Sequence, residues 1–337
     1  MVNVSGSVRV DLLGGTIDLN PINLILPHAF TLNLATSLKA KADIEKINDK
    51  KVIIESLDYG NSFSYDFSDF TEENFRSEFF GPMNFVCQII NHFKLTEGIR
   101  LRLESGSPAG AGLGGSSSMG VTLYKALCQL TNKKLDKLQA IQTVQSIEAR
   151  ILNSGPAGYQ DYYPALHGGV LALKPAPGEV VIEQLYCNEL KDFLEKHITL
   201  VYSGQTRLSG INNWEVYKAF FDKNEAVRKG LEEIAVLSYK AYCAIKAKDF
   251  DKLPELIGNE GKVREKLFSG IVSPKMREVF DILIKDVPEL GMKVCGAGGG
   301  GCFLLIHKSS HKEVVAKAVQ ECGMTILEFN IDRPLED

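Results

Sequence analysis

The chain has 337 residues, 45% of them apolar and 24% charged, which suits a globular enzyme and exceeds what one hydrophobic core organises, so two domains are expected. Its 38 basic and 42 acidic residues leave a net charge of −4, which excludes the basic excess that nucleic acid or an anionic membrane calls for. Arg9 and Asp11 interrupt the apolar N-terminus, no stretch reaches the roughly 18 apolar residues of a membrane helix, and seven scattered cysteines without a CxxC pair point to reduced thiols in a cytoplasmic protein.

In chain order, Val2 to Leu13 is β-branched and partly alternating, which predicts a strand ending at Gly14-Gly15. Residues 22 to 34 read as a second extended stretch broken at Pro27, and 36 to 68 as strands with turns at Asn48-Asp49 and Tyr59-Gly60-Asn61. A helical stretch at 72 to 95 precedes a strand at Ile99 to Glu104. Helices follow at Ser117 to Leu130 and Leu135 to Leu152, then strand-like alternation at 169 to 186. A short apolar strand at His197 to Tyr202 opens a region of long amphipathic helices, the clearest with Val227, Leu231, Ile234, Leu237 and Ala241 on one face. Strands at 293 to 306 and 324 to 330 flank a helix at 310 to 322. Strands and helices mixed without βαβ repetition predict an α+β fold, with a first domain over 1–189 and a second over 190–337.

Two glycine-rich loops stand out. The first, Pro108-Ala-Gly110-Ala111-Gly112-Leu113-Gly114-Gly115-Ser116-Ser117-Ser118, lies between a strand and a helix. Glycines permit close backbone approach and positive φ, and a helix N-terminus adds free N–H groups, so the loop reads as a phosphate cradle. One of its serines is placed to reach a bound metal. The second is Cys295-Gly-Ala-Gly-Gly-Gly-Gly-Cys302, whose glycines call for a ligand or another backbone against them. Neither is a dinucleotide fingerprint in a βαβ context, and neither carries a Walker lysine.

Glu148 projects from or beside the apolar stripe of its helix, as a buried carboxylate needing partners or as a solvated edge residue. Asp161, in a Gly/Pro-rich loop, is a functional side chain or a turn-forming one, and Asp18 shares that choice. Arg9 is a site cation or a surface charge. His28 and His167 lack a nucleophile pattern and are peripheral.

Taken together and in order, these pieces resemble the GHMP kinases. Pro108 to Ser117 is similar to their PxxxGLGSSA motif, with Gly115 for the first serine. Lys293 to Gly301 is similar to KxTGAGGGG, with Cys295 for threonine. Arg9 to Asp18 resembles their N-terminal strand and glycine turn, with Ile17 as an extra residue, and Ile25 to Ala29 looks like a VLPxA stretch. Tyr159 to Tyr163 and Tyr202 to Arg207 look most like the heptose-7-phosphate kinase and fucokinase branch, which phosphorylates an anomeric hydroxyl.

The resemblance implies a ribosomal protein S5 domain 2-like N-terminal domain, a ferredoxin-like C-terminal domain, and ATP- and Mg²⁺-dependent transfer to a sugar or polyol hydroxyl by a monomer or homodimer. Asp161 takes the base position and Arg9 the cation near the γ-phosphate. The stretch Pro108, Gly110, Ala111, Gly112, Leu113, Gly114, Gly115, Ser116 and Ser117 takes the phosphates, and Ser116 with Glu148 the metal. Gly15, Thr16, Asp18, Gly298 and Gly299 are placed on the acceptor side. A mevalonate- or homoserine-type kinase and a catalytically silent sugar- and nucleotide-binding sensor are the alternatives.

Overall fold

A computed structural model describes residues 1–152, 158–205 and 213–336. The first half runs β1 (Val2–Leu13), α1 (Ile22–Ile25), β2 (Thr31–Ile47), β3 (Lys51–Ser56), β4 (Asn61–Asp66), α2 (Glu72–Arg76), α3 (Asn84–Phe93), β5 (Gly98–Glu104), α4 (Gly115–Leu130), α5 (Lys137–Leu152), α6 (Tyr163–His167), β6 (Val170–Ala176) and β7 (Glu179–Gln184). The second half runs α7 (Asn188–His197), β8 (Ile198–Tyr202), α8 (Asn213–Phe221), α9 (Glu225–Lys246), α10 (Leu253–Leu267), α11 (Pro274–Leu283), β9 (Gly291–Val294), β10 (Cys302–Ile306), α12 (Lys312–Glu321) and β11 (Thr325–Ile326).

The expected α+β character holds, with two sheets. The first follows the order β4-β3-β5-β2-β6-β7, and β1 pairs along the opposite edge of β2. The second is β11-β8-β10-β9. Strand β2 is long enough to pair with β5 through 41–47 and with β6 through 31–34. The C-terminal segment fills the gap between those partners, pairing Ile331 with Thr36.

Three expectations change in detail. The apolar run 22–34 splits into a one-turn helix and the start of β2, because a short apolar run carries no decisive period. The helical stretch at 72–95 divides into α2 and α3. In 324–330 only Thr325 and Ile326 pair as strand. The Thr206-Arg207 part of the resemblance lies outside the described residues.

Alternation along the strands places apolar residues on both faces of the first sheet. One face, with Ile44, Ile54, Leu101 and Leu103, packs on α3 to α6 through Val86, Leu123, Val144 and Leu166. The other, with Val8, Val10, Leu12 and Leu34, packs on Leu200, Leu304, Leu237 and Ala241 from the second half. Strand β1 is therefore buried between layers, and its polar residues Arg9 and Asp11 (2% and 0% exposed) have to find partners inside the protein.

Candidate functional site

The site gathers where α4 begins. Its N-cap is Gly114, left-handed at φ 70° with no side-chain cap, and Ser118 N–H makes the first bond back to the Gly114 carbonyl. The N–H groups of Gly115, Ser116 and Ser117 therefore precede the helical ladder and point out of its positive end. Gly110 and Gly112 are also left-handed (φ 70° and 74°), which brings the loop backbone over that end. Gly115 has no room for the family's serine, since a Cβ there would meet Ser107 Oγ at 2.5 Å.

Asp161 lies against the cap. A Cβ on Gly114 would come within 3.1 Å of its Cβ. Arg9 Nε donates to Asp161 Oδ1 at 2.8 Å, and Nη2 lies 2.7 Å from the same oxygen. Arg9 Nη1 donates to the Gly112 carbonyl, and the Arg9 amide to the Leu113 carbonyl at 3.0 Å. One strand residue thus ties the first glycine loop to the carboxylate. Burial works against the Arg9 charge, but Asp161, Asp11 and Cys295 outweigh it and hold the guanidinium above its ordinary value. The surface-charge alternative is excluded because Arg9 is buried, and Asp161 turns Oδ1 to Arg9 rather than to the backbone of its own loop.

At the first turn of α4, Glu148 reaches in from α5. It is 7% exposed, so it is no solvated edge residue. Ser116 Oγ donates to its Oε1 at 2.8 Å, Ser117 Oγ to Oε2 at 2.7 Å, and Tyr162 Oη to Oε2 at 2.6 Å. Burial raises its pKa and the three hydroxyls oppose that rise. Oε1 carries one hydrogen bond where a carboxylate oxygen has two lone pairs. Ser116 Oγ and Glu148 Oε1 are hard oxygens side by side, the donor set Mg²⁺ accepts when phosphates and water complete its shell.

Beside Asp161, Gly15 and Asp18 meet the loop that carries it. Gln160 Nε2 donates to the Gly15 carbonyl at 3.0 Å, and Gln160 N–H to Asp18 Oδ2 at 3.2 Å. Burial, with Asp161 nearby, pushes the Asp18 carboxyl to about 8, so at neutral pH it offers both a donor and an acceptor. Thr16 is 8% exposed. Asp18, Asn20, Asn23, Gln142, Gln145 and Tyr159 line part of a cavity of about 490 Å³.

The second glycine loop packs on the first. A Cβ on Gly296 would sit 2.8 Å from the Gly112 Cα, and one on Gly301 2.6 Å from the Gly110 carbonyl. Cys302 N–H donates to the Ala111 carbonyl at 2.7 Å. These glycines are needed for another backbone. Gly298 and Gly299 are drawn elsewhere: a Cβ on Gly298 would meet the Ile271 carbonyl at 2.6 Å, and Gly299 N–H donates to that carbonyl at 2.9 Å. The Gly299 amide is therefore committed to the protein rather than to an acceptor.

Sequence reasoning missed Tyr162, Gln160, Glu260 and Arg264. Tyr162 directly follows Asp161 and was legible only as half of an aromatic pair. His28 and His167 sit apart from this cluster, stacked on Tyr239 and Tyr163 with ring centroids 4.6 and 5.9 Å away.

The family model "GHMP kinases N terminal domain" matches residues 84–169, and "GHMP kinases C terminal" matches 241–323. The D-glycero-alpha-D-manno-heptose 7-phosphate kinase of Campylobacter jejuni is 26% identical over 330 residues, covering 97% of this chain and 95% of that protein. The bifunctional fucokinase/GDP-fucose pyrophosphorylase of Arabidopsis thaliana is 23% identical over 90% of this chain, which spans only 30% of that longer protein. Among solved structures, the mevalonate kinase of Methanococcus jannaschii superposes with a TM-score of 0.76 at 19% identity, covering 98% of each chain.

Proposed function

This chain belongs to the GHMP kinases, small-molecule phosphotransferases that act on hydroxyl groups, and from that premise we propose that it transfers the γ-phosphoryl group of ATP to a sugar or sugar-phosphate hydroxyl, the anomeric one. The observation that carries this reading is the Arg9–Asp161 pair against the N-cap of α4, with Ser116 and Glu148 paired at the first turn of the same helix.

The loop from Pro108 to Ser117 and the first N–H groups of α4 receive the terminal phosphates of ATP. Ser116 and Glu148 would hold Mg²⁺, which when bound would offset charge on the phosphoryl oxygens. Arg9 engages Asp161 Oδ1, and Oδ2 is the oxygen left to take the proton of the attacking hydroxyl. The Arg9 guanidinium, fixed by Gly112 and Asp161, adds a second positive charge beside the transferred group without reorganising during the reaction. Gly15, Thr16 and Asp18 orient the acceptor, and Asp18 does so with a carboxyl that can donate as well as accept.

The sugar assignment follows the heptose and fucose relatives, and a mevalonate-type acceptor is the competing reading that the mevalonate kinase likeness supports. A division near residue 190 agrees with the first sheet ending at β7 and the second starting at β8. A cytoplasmic setting suits ATP chemistry and seven free thiols, and no described helix is long and apolar enough to cross a membrane.

The test is ATP consumption against a panel of heptose 7-phosphate, L-fucose, galactose and mevalonate, with ³¹P NMR of the product. An anomeric phosphate supports the proposal. Phosphorylation of mevalonate alone replaces the sugar assignment, and acceptor binding without ADP release makes the protein a sensor.

A further inference from the structure

Beneath the site lies a buried cluster of four charges that the transfer mechanism leaves unused. The side chains of Asp11, Glu260 and Lys293 are 0% exposed and that of Arg264 is 4% exposed. Lys293 Nζ lies 2.7 Å from Asp11 Oδ2 and 3.4 Å from Glu260 Oε1, and it donates to the Asp11 carbonyl at 3.1 Å. Arg264 Nη1 lies 3.5 Å from Asp11 Oδ2. The four come from three elements: Asp11 from β1, Lys293 from β9, and Glu260 and Arg264 one turn apart on α10.

Two anions and two cations balance, yet apolar side chains of similar volume would fill this space at no desolvation cost. What the remaining polar atoms hold gives the charges a reason. Glu260 Oε2 accepts the N–H of Gly14 at 2.8 Å, and Gly14 opens the turn that carries Gly15 and Thr16. Arg264 donates to the Val294 carbonyl at 3.0 Å and to the Gly296 carbonyl, at the root of the second glycine loop. Asp11 follows Arg9 by two residues on β1, so both project from the same face. The acceptor turn, the second glycine loop and the strand bearing Arg9 therefore all anchor on one cluster.

We propose that Glu260, with Lys293 as its counter-charge, is a positioning residue for phosphoryl transfer: it clamps the Gly14–Thr16 turn in register with the strand that carries Arg9. The kinetic consequence rests on the kinase reading; the clamp itself does not.

Full-length wild type, Glu260→Ala and Glu260→Gln are compared by amide hydrogen exchange at Gly14. They are also compared by steady-state kinetics with ATP and whichever panel acceptor the wild type turns over. Glu260→Ala is expected to speed Gly14 exchange by about 100-fold beyond any global change and to raise the acceptor KM about 10-fold, with the ATP KM within about twofold. Glu260→Gln, whose amide oxygen still accepts from Gly14, retains most of the protection and of the KM. If the alanine variant does not fold, Glu260→Met/Lys293→Met removes one anion and one cation together and gives the same readouts. Unchanged Gly14 exchange in a folded variant without the acceptor overturns the clamp. A parallel rise of both KM values overturns the positioning role. A wild type that turns over no acceptor overturns the kinase reading instead, and the exchange measurement then decides the clamp alone.

Discussion

Tyr162 Oη donates to Glu148 Oε2 at 2.6 Å, so the residue after Asp161 holds the carboxylate that stands beside Ser116. Both partners are buried, and a hydrogen bond to a charged group there contributes about 1.5–3 kcal/mol. Tyr162→Phe removes it without changing the ring. The Mg²⁺ concentration giving half-maximal rate is expected to rise about 10-fold, with the ATP KM at saturating Mg²⁺ nearly unchanged. A Mg²⁺ titration of the initial rate checks this, and an unmoved midpoint would remove Glu148 from metal binding.

On the proposed mechanism, Asp161→Asn deletes the proton acceptor but keeps the side chain's shape against Gly114. A positioned base contributes about 10²–10⁴-fold, and kcat is expected to fall by that order while ATP binding persists. Steady-state kinetics beside nucleotide titration by calorimetry separates the two effects. A kcat near wild type would take Asp161 out of the reaction.

Gly112→Ala forces a side chain into a left-handed position, φ 74°, with its Cβ 2.6 Å from the Cys295 carbonyl. Strain of this kind costs about 1–3 kcal/mol, and the clash is with backbone that cannot swing aside. A lower Tm and weaker ATP binding are expected together, because the same contact shapes the loop proposed to take the phosphates. Thermal melts with and without nucleotide check it; a variant that melts like wild type contradicts the tight approach of the two loops.

Asp18 gives a pH signature. Its folded pKa of about 8 lies far above the ordinary carboxylate range, so the native state keeps a proton that the unfolded chain releases. The folded state binds more protons between those two values. Its contribution to stability is therefore complete below the unfolded pKa and is lost as pH rises through the folded one, with a slope of at most about 1.4 kcal/mol per pH unit. Asp18→Asn mimics the protonated acid and removes the loss. Urea melts at pH 5 and pH 8 are expected to show the variant gaining on wild type as pH rises, and an equal gap at both values would sink the assignment.

The glycine-rich cradle was legible because its physics is local. A strand, a run of glycines and an amphipathic helix adjacent in the chain are each set by nearby residues, and α4 starts at Gly115, two residues before the predicted Ser117. Arg9, Asp161 and Glu148 were legible as polar residues in unusual surroundings, though not who their partners are. Periodicity separated helices from strands except at 22–34, where four residues of helix are too few to show a period.

By itself, then, the sequence determined the loops, the element types along most of the chain, and a short list of charged residues whose burial it left open. Only the tertiary structure decided that Gly296 lies on Gly112, that Tyr162 shares Glu148 with two serines, and that Glu260 reaches Gly14 across 246 positions. The reason is range: backbone preference and amphipathic period act over a few residues. Which buried charge meets which depends on how sheets and helices far apart in the chain pack, and no local pattern records that choice.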